Sequence, residues 1–226
     1  MTIGIIGANG FIGSTLVKTM KLQHSVTSII RENYKSHKND EFDIIINANG
    51  NSHKYWGNLN HLEDFDKSVM SVYKTLYDFK YKKYVYISSI DAEEIKTPYG
   101  LHKYLAEQLI QFHCKDYSII RIPGIIGKDA SKGVIYDILN GNNIFLTSDS
   151  TMMLMDVNTV AKNLERLIET NKLKKLEKFY PSENISVEEI SNVLKIPAKY
   201  GDELRKEYFN YKGDYDKSIN YLKNIL

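Results

Sequence analysis

The chain has 226 residues, enough to bury a real core in one domain with a smaller appendage. Its 30 Lys and Arg stand against 28 Asp and Glu, a net charge of +2 with the signs interspersed, so no basic stripe suited to nucleic acid is present. No stretch reaches the roughly 20 apolar residues of a membrane span, no signal-like apolar core opens the chain, and the single Cys114 has no intramolecular partner; a cytoplasmic location is expected, with Cys114 a helix-end thiol.

Residues 2–6 (Thr-Ile-Gly-Ile-Ile) are an apolar run that predicts a first strand, and residues 11–22 an amphipathic helix. Between them Gly7, Gly10 and Gly13 form a G-x-x-G-x-x-G series. One glycine makes the tight strand-to-helix turn, one lets the backbone approach a pyrophosphate, and one lets helix and strand pack closely. The first amides of the helix then face the phosphates with the positive end of its dipole. A dinucleotide site is the reading.

Strand and helix signals continue to alternate, the pattern of a parallel α/β sheet. Strands are expected at 25–30, 42–47, 84–87 and 117–122, and helices at 62–79 and 100–112. Only about a dozen residues separate the second and third strands, so the crossover helix there should be short or missing. After Pro123 the pattern loosens, with helices predicted at 131–139, 157–169 and 186–194. The last opens on Ser186 with Glu189 three residues on, a capping-box spacing. The expected fold is a Rossmann-like doubly wound α/β domain over 1–123. Residues 124–226 should make a small substrate lobe interwoven with it.

The chemistry concentrates in Tyr84-Val-Tyr-Ile-Ser-Ser-Ile-Asp and Pro98-Tyr-Gly-Leu-His-Lys. Tyr99 and Lys103 are four apart and share a helix face. An ammonium beside a phenol lowers the phenol's pKa from about 10, which suits it to proton transfer near neutrality. Ser88 and Ser89 end a buried strand, where hydroxyls can reach the same cleft. His102 falls on a different helix face and is expected at the surface. His53 and Lys54 are candidate sugar or phosphate contacts or ordinary loop residues. The 6 histidines and one cysteine show no metal-ligand spacing, and no G-x-S-x-G hydrolase motif occurs.

Taken in order, the glycine turn, the strand ending in Asn47-Ala48, the Ser-Ser pair and the Pro-Tyr-Gly-x-x-Lys segment resemble the extended short-chain dehydrogenase/reductase family. The likeness extends to Arg121-Ile-Pro-Gly-Ile-Ile-Gly and to Met152-Met-Leu-Met-Asp-Val. That resemblance implies a nucleotide-sugar enzyme in which Tyr99 exchanges the proton. Lys103 would hold the nicotinamide ribose and depress the Tyr99 pKa, and Ser89, or less favourably Ser88, would bind the reacting carbonyl. Gly7, Asn9, Gly10, Phe11, Ile12 and Gly13 would surround the pyrophosphate, and Asn47, Ala48 and Asn49 would border the adenosine. Pro123 and Ile125 would lie in the segment that wraps the nicotinamide, and Asp156 would be a structural hydrogen-bonder near the lobe boundary. A homodimer through the helices at 62–79 and 100–112 is implied as well.

The residues after strand two read Ser28-Ile-Ile-Arg31-Glu32. Arg31 favours the 2′-phosphate of NADPH, while Glu32 would suit the free hydroxyl of NAD. The chain also departs from the family. The loop between Ser89 and Tyr99 is short, Ser68 stands where an Asn is common, and Ile90-Asp91 follows the serine in place of the dehydratases' Asp-Glu. The expected activity is therefore NADPH-dependent reduction of a keto group on a nucleotide-linked deoxysugar for a surface polysaccharide. The alternatives are a sugar 4-epimerase with tightly held NAD and a non-catalytic NADP binder.

Overall fold

The computed structural model describes residues 1–209 and 211–223. The first half runs β1 (Thr2–Ile6), α1 (Phe11–Met20), β2 (Ser25–Ile29), β3 (Glu41–Asn47), α2 (Lys54–Leu59), α3 (His61–Phe65), α4 (Ser71–Asp78), β4 (Lys80–Ser89), α5 (Pro98–His113) and β5 (Tyr117–Ile122). The second half runs β6 (Gly124–Ile126), α6 (Val134–Leu139), β7 (Asn143–Leu146), β8 (Thr151–Met152), β9 (Leu154–Asp156), α7 (Val157–Glu169), β10 (Leu176–Lys178), β11 (Ile185–Ser186), α8 (Val187–Leu194), β12 (Lys199–Arg205) and α9 (Ser218–Lys223). No helix of the described residues is long and apolar enough to cross a membrane.

The chain falls into two units, Met1–Arg121 with Ala161–Lys178 and Ile122–Val160 with Phe179–Leu226. Where the sequence suggested a division at 123/124, the chain re-enters the first unit over Ala161–Lys178 and adds β10 at the sheet edge.

In the first unit a six-stranded sheet has the order β10-β5-β4-β3-β1-β2. The β1/β2, β1/β3, β3/β4 and β5/β10 pairings are parallel. From β1 the chain crosses through α1 to β2 on one side, then to β3 on the other. The strand order therefore switches beside β1, which opens a crevice at the carboxyl ends of β1 and β3. As the short linker required, β2 and β3 are joined by one 3-10 turn, Tyr34–His37, instead of a full helix. Apolar residues of β1 to β4 pack with Val72, Leu76, Ala106 and Ile110 of α4 and α5 in one core.

Several elements differ from their predicted bounds, for local reasons. α1 stops at Met20, leaving Leu22 82 % exposed. The predicted helix over 62–79 is α3, a π turn at Asp66–Met70 and α4. α2 was not predicted; its Gly57 packs so closely that an added Cβ would lie 2.8 Å from Asn51 Nδ2. β4 begins at Lys80, four residues early, because Lys80 and Lys82 point outward while Tyr81 is half-buried. Thr97 caps α5 by accepting from the Gly100 amide, with Pro98 at the first turn, so that helix starts before Gly100. Gly133, at φ 95°, delays α6 to Val134.

In the second unit β6 pairs with β9, β7 with β12 and β8 with β11. α8 opens on the predicted capping box, Ser186 accepting from the Glu189 amide while Glu189 accepts from the Ser186 amide. β12 carries no apolar period in the sequence, its residues being nearly all exposed.

Candidate active site

Gly7 adopts φ 80°, a left-handed conformation that favours glycine, and its amide donates to Ile29 O at 3.0 Å. The chain thereby turns sharply off β1, and the Gly10 amide donates to Gly7 O at 2.9 Å. Gly13, buried in the first turns of α1, faces that carbonyl: a Cβ there would stand 2.1 Å from Gly7 O. Helix and turn are thus in contact at a distance only glycine allows. α1 begins at Phe11, the Gly10 before it has no side chain to cap the helix, and the first turn holds no acidic residue. These free amides suit an anionic group, so the turn fits a dinucleotide pyrophosphate; Asn9 is exposed, and Phe11 and Ile12 are half-buried beside it.

β4 delivers Ser89 to its carboxyl end, the capped first turn of α5 delivers Tyr99, and the next turn delivers Lys103. Lys103 Nζ lies 5.6 Å from the centre of the Tyr99 ring, and both residues are buried. Lys103 also approaches the loop after β3, where a Cβ on Gly50 would lie 3.3 Å from Nζ. The Tyr99 amide donates to Asn58 Oδ1 at 3.1 Å, which fixes α2 against the start of α5. Burial pushes the Tyr99 phenol well above its usual pKa, the Asp91 charge adds to the rise, and a hydrogen bond with Ser89 opposes it. This is opposite to the expected depression, because burial favours the neutral phenol over the phenolate.

Ser89 donates to Asp91 Oδ2 at 3.0 Å, and its oxygen accepts from the Asp91 amide at 3.2 Å. Lys54 pairs with Asp91 Oδ1 at 2.8 Å. Lys54 is therefore joined to the Ser89 corner, while His53 precedes α2 and donates its amide to Asn51 Oδ1 at 2.8 Å.

Other predicted residues have roles visible in their contacts. Asn47 is fully buried; Nδ2 donates to Tyr84 Oη at 2.7 Å and Thr75 Oγ1 at 3.1 Å, and Oδ1 accepts from the Asn49 amide at 2.9 Å. It thereby shapes the Ala48-Asn49 turn, and the Ala48 amide donates to Ile6 O at 3.0 Å. Ser88 turns away from the cleft and donates to Glu107 Oε1 at 2.5 Å. β2 ends at Ile29, and Asn33 closes the next turn, accepting from the Ile30 amide at 2.8 Å and donating to Ser28 O at 2.9 Å. That turn leaves both Arg31 and Glu32 exposed. Pro123 and Ile125 lie in the second unit, where Ile125 pairs with Met155. Asp156 accepts from the Thr159 amide at 2.8 Å, the structural part expected of it. Cys114 ends α5, its thiol raised by burial.

His102 corrects the sequence reading. It is 7 % exposed, and its Nδ1 lies 2.6 Å from Asp64 Oδ2. Asp64 is wholly buried and also accepts from Asn51 Nδ2 at 2.8 Å and Ser68 Oγ at 3.2 Å. This cluster joins α3, the π turn and α5 on the side of α5 next to Lys103. No sequence spacing signals it, since its members come from separate elements.

No protein-family model matches the sequence, and no curated protein sequence matches it. Solved structures do. A UDP-N-acetylglucosamine 4-epimerase from Methanobrevibacter ruminantium M1 matches over 99% of this chain and 96% of its own, with TM-score 0.76 and 17% identity. A dTDP-4-dehydrorhamnose reductase from Clostridium acetobutylicum matches over 100% and 98%, with TM-score 0.77 and 15% identity. TunA, an NAD-dependent NDP-hexosamine 5,6-dehydratase, matches over 94% and 88%, with TM-score 0.78 and 13% identity. The chain shares the fold of nucleotide-sugar enzymes. It is the α/β fold implied by the resemblance to extended short-chain dehydrogenases/reductases, and at these identities the likeness is one of fold.

Proposed function

We propose that the chain is an enzyme of the extended short-chain dehydrogenase/reductase type, an NADPH-dependent reductase of a keto group on a nucleotide-linked deoxysugar. The observation that carries this is the gathering of Ser89, Tyr99 and Lys103 at the crevice that also holds the Gly7–Gly13 turn. Bound NADPH supplies the hydride. The chain's own residues do the rest: Ser89 holds the carbonyl oxygen, and Tyr99 gives it a proton as the hydride arrives. A phenol kept protonated by burial is suited to that acid role. Lys103 holds the ribose hydroxyls and balances charge as the phenol gives up its proton. Lys54 and Asp91, joined to Ser89, order the corner where the sugar enters.

The product is a sugar nucleotide for a surface polysaccharide. The second unit is the substrate lobe. The protein is cytoplasmic and a homodimer. On the first unit an apolar groove of about 740 Å³, lined by Phe65, Val69, Tyr73, Leu105, Leu109 and Phe112, supports such pairing.

The preference for NADPH rests on Arg31, exposed just after β2. Arg31→Ala should raise the KM for NADPH by about 10- to 100-fold, the loss of one charge-assisted contact, and leave that for NADH nearly unchanged. Equal effects on both cofactors, measured by steady-state kinetics, would assign Arg31 no part in the choice. A second reading, a 4-epimerase, is favoured by the shared fold with a UDP-N-acetylglucosamine 4-epimerase. Cofactor retention separates the two: a reductase exchanges its cofactor every turnover, whereas an epimerase carries NAD(H) through purification.

A further inference from the structure

At the opposite end of the sheet from the glycine turn, His24 ends the turn between α1 and β2, its amide donating to Met20 O at 2.9 Å. Its side chain is 8 % exposed, and its Nε2 has no hydrogen-bond partner. Facing it are Glu165 and Glu169, one turn apart on α7 and belonging, like His24, to the first unit. One oxygen of Glu165 is likewise buried without a partner. His24 Nε2 and one carboxylate oxygen from each glutamate all lie within 4.8 Å of one another, with His24 Nε2 4.0 Å from Glu169 Oε1.

Two carboxylates at i and i+4 repel each other, and a buried imidazole nitrogen and a buried carboxylate oxygen without partners each lose solvation for nothing. A cation at their centre answers all three. In tetrahedral coordination with bonds of about 2.0–2.1 Å the ligand atoms sit about 3.3 Å apart, so small side-chain rotations close the cluster. Carboxylates alone suit magnesium or calcium, whereas an imidazole turns the preference to first-row transition metals.

We propose that His24, Glu165 and Glu169 form a divalent metal site of the zinc type, with water as the fourth ligand. It clasps α7 to the turn that leads into edge strand β2, and its place at the amino ends of the strands makes it structural.

The test uses the full chain freed of metal with a chelator and titrated with zinc chloride alone, read by competition with a chromogenic chelator. One Zn²⁺ per chain is expected, with no comparable binding of Mg²⁺, a higher thermal midpoint with Zn²⁺, and visible absorption bands when Co²⁺ is used instead. His24→Gln, Glu165→Gln and Glu169→Gln should each weaken Zn²⁺ binding at least tenfold, ligand loss costing no less than the loss of an outer-shell partner. Glu169 is exposed, so Glu169→Gln tests the site even if His24→Gln does not fold. Absence of stoichiometric Zn²⁺ binding to the folded chain would overturn the proposal. So would affinity unchanged in Glu169→Gln, which would place the metal elsewhere.

Discussion

Tyr99→Phe should lower turnover by about 10²- to 10⁴-fold, the usual contribution of a positioned proton donor, and leave cofactor affinity within about threefold. The reasoning is geometric. Tyr99 is buried with its amide on Asn58 Oδ1 and its ring beside Lys103. Phenylalanine keeps the ring, the packing and the helix, and removes only the hydroxyl that meets Ser89. A fall in kcat with nearly unchanged KM would identify an interaction made in the transition state. Cofactor binding, followed by fluorescence of the reduced nicotinamide, serves as the control for folding. Turnover kept in Tyr99→Phe would remove the phenol from the reaction.

The second large effect is on stability. Arg121 is the hub of a network within the first unit. Its Nε donates to Glu107 Oε1 at 3.0 Å, its Nη2 to Glu107 Oε2 at 2.6 Å and its Nη1 to Glu93 Oε2 at 2.5 Å. Ser88 completes Glu107, and Lys178 of β10 reaches Glu93. The Glu107 side chain is 1% exposed and that of Arg121 10%. Arg121→Met would leave the Glu107 carboxylate buried with only Ser88 for company, at a cost of about 3–5 kcal/mol. For a chain of this size that is a fall in thermal midpoint of about 6–20 °C. Arg121→Met with Glu107→Leu should regain most of the loss, since an apolar pair of similar volume replaces a buried ion pair at little cost. A single variant as stable as the parent would show the network to be dispensable. Burial works to raise the Glu93 pKa, but hydrogen bonds from Lys178 and Arg121 hold it below the ordinary value. Its share of stability is therefore full above the ordinary carboxylate range and lost as pH falls through the lowered value.

What the sequence revealed was whatever is built locally. Gly7, Gly10 and Gly13 could be read because a strand-to-helix turn needs its small residues in one short run. Tyr99 and Lys103 could be read because a helix turns four residues into neighbours. The capping box at Ser186 likewise lies within one turn. The long-range pairings were hidden. Asp64 and His102 meet across α3 and α5, and nothing in either segment marks the partner. Arg121 was noted for the segment it begins, while its side chain serves Glu107. The early start of β4 was masked by lysines that alternate outward, and β12 by the absence of any apolar period. The phenol's raised pKa is hidden for the same reason: a spacing of four shows the lysine, and only the packed structure shows the burial that raises it.

We propose that Ser89, Tyr99 and Lys103 together reduce a carbonyl on a nucleotide-linked sugar. The most direct test is to follow NADPH and NADH oxidation by the purified chain against a small panel of nucleotide 4-keto-6-deoxysugars. Oxidation of NADPH in preference to NADH is expected, one equivalent per keto group, only when a keto sugar is present. Cofactor left unoxidised by every sugar, with NAD found tightly bound and sugar epimers interconverted, would contradict it and make the chain an epimerase.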